Sequence, residues 1–389
     1  METQVLVTLI IFGMATSLTM VAPLLLDLSR EFRISVGTAG LLAAASAIPQ
    51  ALASPFAGLL SDRFGRRPMI VAALTAVGAL TLAGAAVPFF MALVVLRLLA
   101  GLLGSCGPTS LMASIGDLFP LERRSRAMAW FNMGFGLAAI AGVPVVGALA
   151  GLLGWRAAFA ITGLGLLVLA ALVRLRFPAS PPVAARLRLT EGYRAVFAAP
   201  GLLSFLSANF VERSMYAAII LYLPAFLMQQ YGLTMIEVAP LLSVVACGTI
   251  AGSLVGGWLS DRLAKPVIFI ASQTVAGIVG LLLFAFDLRF AIAVLLAVIV
   301  GLANAASRPG FLAYGSELVP GRRGALFGLM GLTNQGGLGL GSVLGALAIA
   351  IGSYQGVAIV VACQGFLASA LAAPLLTRKP PHPAGELLN

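Results

Sequence analysis

Apolar stretches of about 20 residues follow one another along the chain, separated by short charged breaks. Each stretch is long enough to cross a hydrocarbon layer of roughly 30 Å as a helix, and the alternating pattern of a membrane barrel is absent. Only 10% of the 389 residues are charged, whereas soluble domains contain about 25%. A chain of this composition cannot keep its surface in water, so we expect an all-α polytopic membrane protein.

Twelve membrane-spanning helices are predicted. The third and fourth are separated at Pro88, because their common apolar block is too long for one helix. Numbered one to twelve, the predicted spans are 4–26, 37–59, 68–88, 90–112, 127–149, 156–177, 201–228, 236–258, 266–286, 290–313, 325–349 and 354–376. Span one lacks the basic residues that begin a cleaved signal peptide, so we expect it to be retained.

The net charge of +11 comes mainly from basic residues in the loops. If the N-terminus is cytoplasmic, the loops on that side hold seventeen Lys and Arg residues and the outer loops hold four. This asymmetry follows the positive-inside rule and predicts that both termini are cytoplasmic. The basicity is therefore explained by membrane topology, and we expect no nucleic-acid partner.

Cysteine and histidine usage predicts neither a metal site nor a cofactor. The three cysteines lie in apolar spans, where thiols usually serve packing, and the single histidine, His382, lies in a Pro-rich tail. No nucleotide-binding loop and no nucleophile–base pair is visible. We therefore expect a protein that is not an enzyme.

The chain contains an internal duplication with a shift of about 200 residues. "GLLSDRFGRRP" aligns with "GGWLSDRLAKP", and Asp117 aligns with Glu317. Six spans have thus become twelve, and because six is even, both halves have the same orientation. The predicted parts are an N-terminal six-helix bundle (1–177), a cytoplasmic loop (178–200), a C-terminal six-helix bundle (201–377) and a cytoplasmic tail (378–389).

The break after span two carries a glycine, acid and arginine pattern, formed by Gly58, Asp62, Arg63, Gly65, Arg66 and Arg67. The carboxylate can lie against the positive end of a helix, the arginines can hold carboxylates, and the glycines permit close approach and a tight turn. Asp261 and Arg262 repeat the pattern, although Ala264 and Lys265 replace the second glycine and the arginine after it. We predict that these groups latch the two halves together on the cytoplasmic side.

The pattern G-x-x-x-D-R-x-G-R-R resembles the loop signature of the major facilitator superfamily, in its place after the second helix and its echo after the eighth. Arg97, Gly101 and Gly104 resemble the R-x-x-x-G-x-x-G element of the same family. The resemblance implies two six-helix bundles that alternate access to a central cavity.

The segment 136–151 in span five resembles the glycine–proline element of bacterial drug–proton antiporters with twelve spans, although Val143 separates Gly142 from Pro144. The segments 154–159 and 20–32 are also similar to that branch. These likenesses favour export without defining a substrate.

Four charged residues are predicted to lie inside the membrane: Arg97, Glu212, Arg213 and Arg308. Such charges are costly and usually face a cavity or a partner. We expect Glu212 to carry protons, because burial favours its protonated form and a nearby arginine favours its charged form, so that movement of the arginine would switch its protonation. Arg97, as its motif implies, would tune the pathway as a fixed charge. Alternatively, Glu212 only neutralises an arginine in a static network, and Arg308 is the better partner because adjacent helix residues point about 100° apart.

Polar residues in the spans that could contact a substrate are Gln50, Asn132, Asn209, Tyr216, Tyr222, Gln273, Asn304, Asn334 and Gln335. For each of them taken alone, a hydrogen bond between helices is a better explanation than contact with a ligand.

The leading prediction is a secondary transporter that exports small amphipathic organic compounds in exchange for protons. We expect a monomer in the lipid bilayer of a bacterial inner membrane, with a small molecule and protons as its partners. The alternative is a carrier, including an importer, of organic or inorganic anions, because three embedded arginines face one glutamate. A transporter-like receptor that moves nothing is a third possibility, and the retention of both latch motifs argues against it.

Overall fold

The structure is a computed structural model of the 389-residue chain. It describes residues 2–119, 121–178, 199–318 and 323–377. Most of the predicted loop 178–200 and all of the tail 378–389 lie outside these residues. Within the described part, twelve helices are long and apolar enough to cross a membrane, which confirms the all-α class and the predicted number of spans.

Fifteen helices are present in the described residues. In chain order they are α1 Glu2–Thr19, α2 Val21–Phe32, α3 Val36–Phe64, α4 Arg66–Gly84, α5 Phe90–Gly104, α6 Cys106–Leu118, α7 Leu121–Leu137, α8 Val143–Leu153, α9 Trp155–Arg176, α10 Leu202–Tyr231, α11 Met235–Ser260, α12 Lys265–Ala285, α13 Phe290–Ala306, α14 Arg308–Leu318 and α15 Arg323–Ala372. Spans one, four, five and ten each consist of two helices, and α15 contains spans eleven and twelve. Span one continues to Phe32, beyond its predicted end at residue 26.

Spans one, four and ten are divided at Met20, Ser105 and Ser307. A proline follows each division closely, at Pro23, Pro108 and Pro309. Proline has no N–H and leaves the carbonyl four residues earlier without its helical donor, so a helix kinks or breaks near it. Spans four and ten occupy equivalent places in the repeat, and their similar divisions are therefore a structural trace of the duplication.

Pro144 has a different effect in span five. The helix widens into a π-helical turn over Ala138–Gly142, directly before the proline. Pro144 cannot donate to the carbonyl of Ile140, and the hydroxyl of Ser243 in span eight donates to that carbonyl at 2.9 Å. The irregular turn thus creates a hydrogen bond between the two halves of the protein.

Spans eleven and twelve are joined without a conventional loop. The helix α15 is 50 residues long, but Ser353 within it has a left-handed backbone with φ of 57°. A side chain at Gly356 would overlap the carbonyl of Ala348. The chain therefore reverses direction near Ser353, and α15 crosses the membrane twice.

The two halves approach each other closely near one face of the bundle. We call the end that carries residues 61–67 and 260–265 the basic face and the other end the opposite face. Close approaches between the halves near the opposite face pair Gly37 with Ala346, Gly40 with Tyr222, Gly147 with Met235 and Gly151 with Ile236. At each of these glycines an added Cβ would collide with the partner, so the opposite face is tightly closed.

Towards the basic face the contacts between the halves are looser. An added Cβ at Gly331 would meet Ser54 at 3.9 Å, and one at Gly136 would meet Ile250 at 3.9 Å. No described atom lies within 4 Å of such a Cβ at Gly58. The close approach predicted for Gly58 is therefore not made with any described atom in this conformation.

Candidate functional site

A buried ion cluster lies in the C-terminal half. Glu212 in span seven is 0% exposed and is the one buried carboxylate among the described side chains. Arg213 donates from Nε to Glu212 Oε2 at 2.6 Å and from Nη2 to Oε1. Arg308 in span ten donates from Nη1 to Glu212 Oε2 at 3.2 Å. One carboxylate thus faces two guanidinium groups, and the cluster has a formal charge of +1.

The expectation that Arg308 would be the better partner of Glu212 is wrong in one respect. Arg213 forms the two-bond contact, although adjacent residues of a helix point in different directions. Its long side chain bends back towards Glu212, and the guanidinium also lies 4.7 Å from the ring centroid of Tyr216. The flexible arginine stem therefore outweighs the divergence of the two Cβ directions.

Amide groups link the cluster to neighbouring spans. Arg308 Nη1 donates to Asn209 Oδ1 at 2.8 Å. The amide nitrogen of Asn209 donates in turn to Thr333 Oγ1 at 2.8 Å and to Asn334 Oδ1 at 3.0 Å. Spans seven, ten and eleven are thereby joined by one polar network.

A second branch reaches span nine. Arg213 Nη2 donates to Asn304 Oδ1 at 3.3 Å, and Gln273 Nε2 donates to Ser307 Oγ at 2.9 Å. Asn304 and Gln273 are themselves in contact, with Asn304 Nδ2 at 3.5 Å from Gln273 Oε1. The carboxylate and its arginines are therefore held from four spans of the same half.

The predicted polar residues divide into two groups. Those in or next to the network are Asn209, Tyr216, Gln273, Asn304 and Asn334. Within the described structure, no side-chain hydrogen bond is formed by Gln50, Asn132 or Gln335. Tyr222 belongs to the closed opposite face, where its hydroxyl donates to the carbonyl of Ser342 at 3.0 Å. Thr333 and Ser307 were not predicted, since nothing in the sequence distinguishes them from other hydroxyl residues in apolar spans.

Arg97 lies apart from this cluster, in the N-terminal half. It is 3% exposed and donates from Nη1 to the carbonyl of Ser17 at 3.0 Å and from Nη2 to the sulfur of Met20 at 3.1 Å. Its guanidinium also lies 4.6 Å from the ring centroid of Phe159. In the described part of the structure no carboxylate pairs with Arg97. The arginine therefore joins span four to the division in span one.

Two equivalent ion pairs lie at the basic face. Arg66 Nε donates to Asp117 Oδ2 at 2.9 Å, and Lys265 pairs with Glu317. Asp117 aligns with Glu317 in the repeat, and Arg66 with Lys265, so the lysine preserves the pairing despite the altered motif. Gly65 has a φ of 90°, a backbone that favours glycine, and confirms the predicted tight turn.

The latch between the halves stays a prediction. Among the described residues, each ion pair joins two members of the same half. The side chain of Asp62 lies outside the described part. Asp261 and Arg63 are exposed, and Arg262 lies 3.9 Å from the ring centroid of Trp258.

The chain matches the family described as Major Facilitator Superfamily, over residues 7–337 and, in a second match, 206–388. It is 28% identical over 275 residues to the chloramphenicol resistance protein of Streptomyces lividans, with 68% of each chain covered. It is 35% identical over 156 residues to the tetracycline resistance protein, class B, of Escherichia coli. The matched segment covers 39% of this chain and 38% of that protein.

The fold is similar to that of a bacterial homologue of the human lysosomal transporter Spinster, in an inward-facing and unoccupied conformation. The TM-score is 0.80, 98% of each chain is covered, and the sequences are 18% identical. At this identity the likeness concerns the fold alone.

Proposed function

The chain belongs to the major facilitator superfamily, and we propose that it is a proton-coupled exporter of small amphipathic organic compounds. Its family is one of multi-pass membrane transporters of small molecules, not of enzymes. Two relatives are named for resistance to chloramphenicol and tetracycline. These names support export, because a transporter confers resistance most directly by lowering the internal concentration of a toxic compound.

We place the basic face in the cytoplasm, because basic loops remain on that side during insertion. The described conformation is then tightly packed towards the outside and more loosely packed towards the cytoplasm, which we interpret as the loading state of an exporter. Alternating access also requires a conformation in which the halves close at the basic face. In that conformation the motif residues around Asp62 and Asp261 would form the latch of a monomeric carrier in a bacterial inner membrane.

The observation that carries the proposal is the contact of Glu212 with Arg308 across two spans. A carboxylate inside the membrane is costly unless a positive charge compensates it. When Arg308 moves away during the transport cycle and the flexible side chain of Arg213 also leaves the carboxylate, the compensation is lost and Glu212 takes up a proton. Return of the arginine favours release of the proton, so proton binding is coupled to movement between the spans.

The test uses the full chain in proteoliposomes with a pH-sensitive dye inside. Glu212→Gln should abolish the proton flux that tetracycline or chloramphenicol drives, while exchange of labelled compound without a pH gradient persists. Glu31→Gln is the matched control, because Glu31 is an exposed carboxylate paired with Arg156 at the opposite face. Unchanged accumulation driven by the gradient in Glu212→Gln would exclude Glu212 from proton coupling.

A carrier of organic or inorganic anions is the second candidate, favoured by the formal charge of +1 on the cluster. The two functions differ in direction and in phenotype. Expression in an Escherichia coli strain without its own drug exporters should raise resistance if the protein exports. Growth on an organic acid that the host cannot take up would instead indicate import.

A further inference from the structure

The charge of the ion cluster is unevenly distributed. Arg213 uses its Nε and Nη2 edge to hold both oxygens of Glu212, so this pair is neutral as a unit. Arg308 shares only Oε2, which already accepts a bond from Arg213. The excess positive charge of the cluster is therefore that of Arg308.

Arg308 also has unused hydrogen-bond donors. A guanidinium group carries five N–H bonds, and the two on Nη1 go to Asn209 and Glu212. Within the described structure, Nε and Nη2 donate to no protein group, and 20% of the side chain remains exposed. The Nε and Nη2 edge is a planar fork that matches two carboxylate oxygens. It is the same edge with which Arg213 holds Glu212.

We propose that Arg308 binds the acidic group of the substrate through its Nε and Nη2 edge, and that the transporter selects amphipathic compounds with one negative charge. The inference rests on the proposed export function and defines its substrate class. One bound carboxylate, sulfonate or phosphate diester, each with a single negative charge, brings the cluster from +1 to neutrality. Charge balance of this kind is strongly favoured at low dielectric, whereas a cation would increase the uncompensated charge.

Glu212 and the substrate would lie on different edges of Arg308, because Nη1 already donates to Asn209 and Glu212. The 3.2 Å contact between Arg308 and Glu212 is long for a charge-assisted bond, because Arg213 already satisfies the same oxygen. Arg308 is therefore the arginine whose charge is available to a bound anion, whereas the charge of Arg213 is neutralised by Glu212.

The test compares ligands of equal shape and different charge on the purified full chain in lipid nanodiscs. One set is 1-naphthylacetate, 1-naphthylacetamide and 2-(1-naphthyl)ethylammonium, and a second set has biphenyl in place of naphthalene. Calorimetry should show at least tenfold tighter binding of the anion than of the amide in one or both sets. Arg308→Gln should reduce this ratio below twofold without changing amide binding.

Two further variants keep the test decisive. Arg308→Lys retains the charge without the planar fork and should give an intermediate preference for the anion over the amide. It also provides a second measurement if the glutamine variant folds poorly. Arg156→Gln removes an exposed arginine at the opposite face and should leave the preference unchanged. The proposal is overturned if neither anion binds better than its amide, or if Arg308→Gln keeps the preference. Anion preference without measurable transport would instead refute the export function and leave this inference standing.

Discussion

Replacing Glu212 and replacing Arg308 should have unequal effects on stability, although the two side chains form one ion pair. Glu212→Gln leaves two guanidinium groups without a carboxylate, and the formal charge of the cluster rises from +1 to +2. Arg308→Gln leaves the Glu212–Arg213 pair intact, and the formal charge falls to zero. The structure thus predicts that the shared carboxylate matters more than the outer arginine.

The magnitudes follow from the contacts. Removing one partner of a buried ion pair costs about 3–5 kcal/mol, and we expect about 3 kcal/mol for Glu212→Gln because 14% and 20% of the two arginine side chains remain exposed. Arg308→Gln loses one 3.2 Å contact to a shared oxygen, and the new amide can still reach Asn209. We expect a cost of about 1 kcal/mol for it. The double variant returns the formal charge to +1 and should cost about 2 kcal/mol, less than the sum of the single changes.

Thermal unfolding of the purified variants in nanodiscs measures this order. Wild type should be the most stable, followed by Arg308→Gln, the double variant and Glu212→Gln. Glu31→Gln serves as the reference for an exposed ion pair, which contributes about 0–1 kcal/mol. If Arg308→Gln were as destabilising as Glu212→Gln, the assignment of the excess charge to Arg308 would be refuted.

Two further predictions concern packing and the contact between the halves. Gly252→Leu should destabilise by about 1–3 kcal/mol or more and lower the yield of monodisperse protein, because its Cβ would overlap a backbone carbonyl of span ten. Gly257→Leu in the same helix has open space within 4 Å among described atoms and should leave the yield unchanged. Ser243→Ala removes the bond to the Ile140 carbonyl, and a loss of about 0.5–1.5 kcal/mol should widen the distance distribution between spin labels across the opposite face. Ser207→Ala is the control, because the hydroxyl of Ser207 donates to a carbonyl of its own helix, and this variant should not widen the distribution. Equal distance distributions for the two serine variants would contradict the role of Ser243.

The number and order of spans were predictable because apolar length in a membrane protein is dictated by the bilayer. The end of span one was not, since helix α2 continues through Asp27, Arg30 and Glu31, which hydropathy assigns to a loop. The geometry of the turn between spans eleven and twelve was also not predictable from the sequence. It depends on the left-handed backbone of Ser353, for which a serine gives no signal.

The candidate site was predictable in its members and less so in its geometry. The cost of a buried charge pointed to Glu212 and Arg308 as partners, and the structure brings them together. The sequence could not reveal that the side chain of Arg213 bends back towards Glu212, because a long side chain reaches many positions from one Cα. Nor could it separate Arg97 from the cluster, since no local pattern specifies the distance between side chains in different halves.

The duplication separates scaffold from function. At the basic face both halves keep an ion pair, Arg66 with Asp117 and Lys265 with Glu317. Inside the membrane the symmetry is lost. In the alignment that places Pro23 on Pro224, the position of Glu212 corresponds to Ile11. In the alignment that places Asp117 on Glu317, the position of Arg308 corresponds to Pro108.

Two apolar positions in one half thus correspond to a costly buried ion pair in the other. A shared fold does not require that pair, because the N-terminal half packs without it, with Ile11 only 1% exposed. The pair is therefore best explained by what the C-terminal half binds. Changes at Arg66 or Lys265 should leave the ligand charge preference intact, whereas Arg308→Gln should remove it, and calorimetry with the charged and neutral naphthyl ligands measures both.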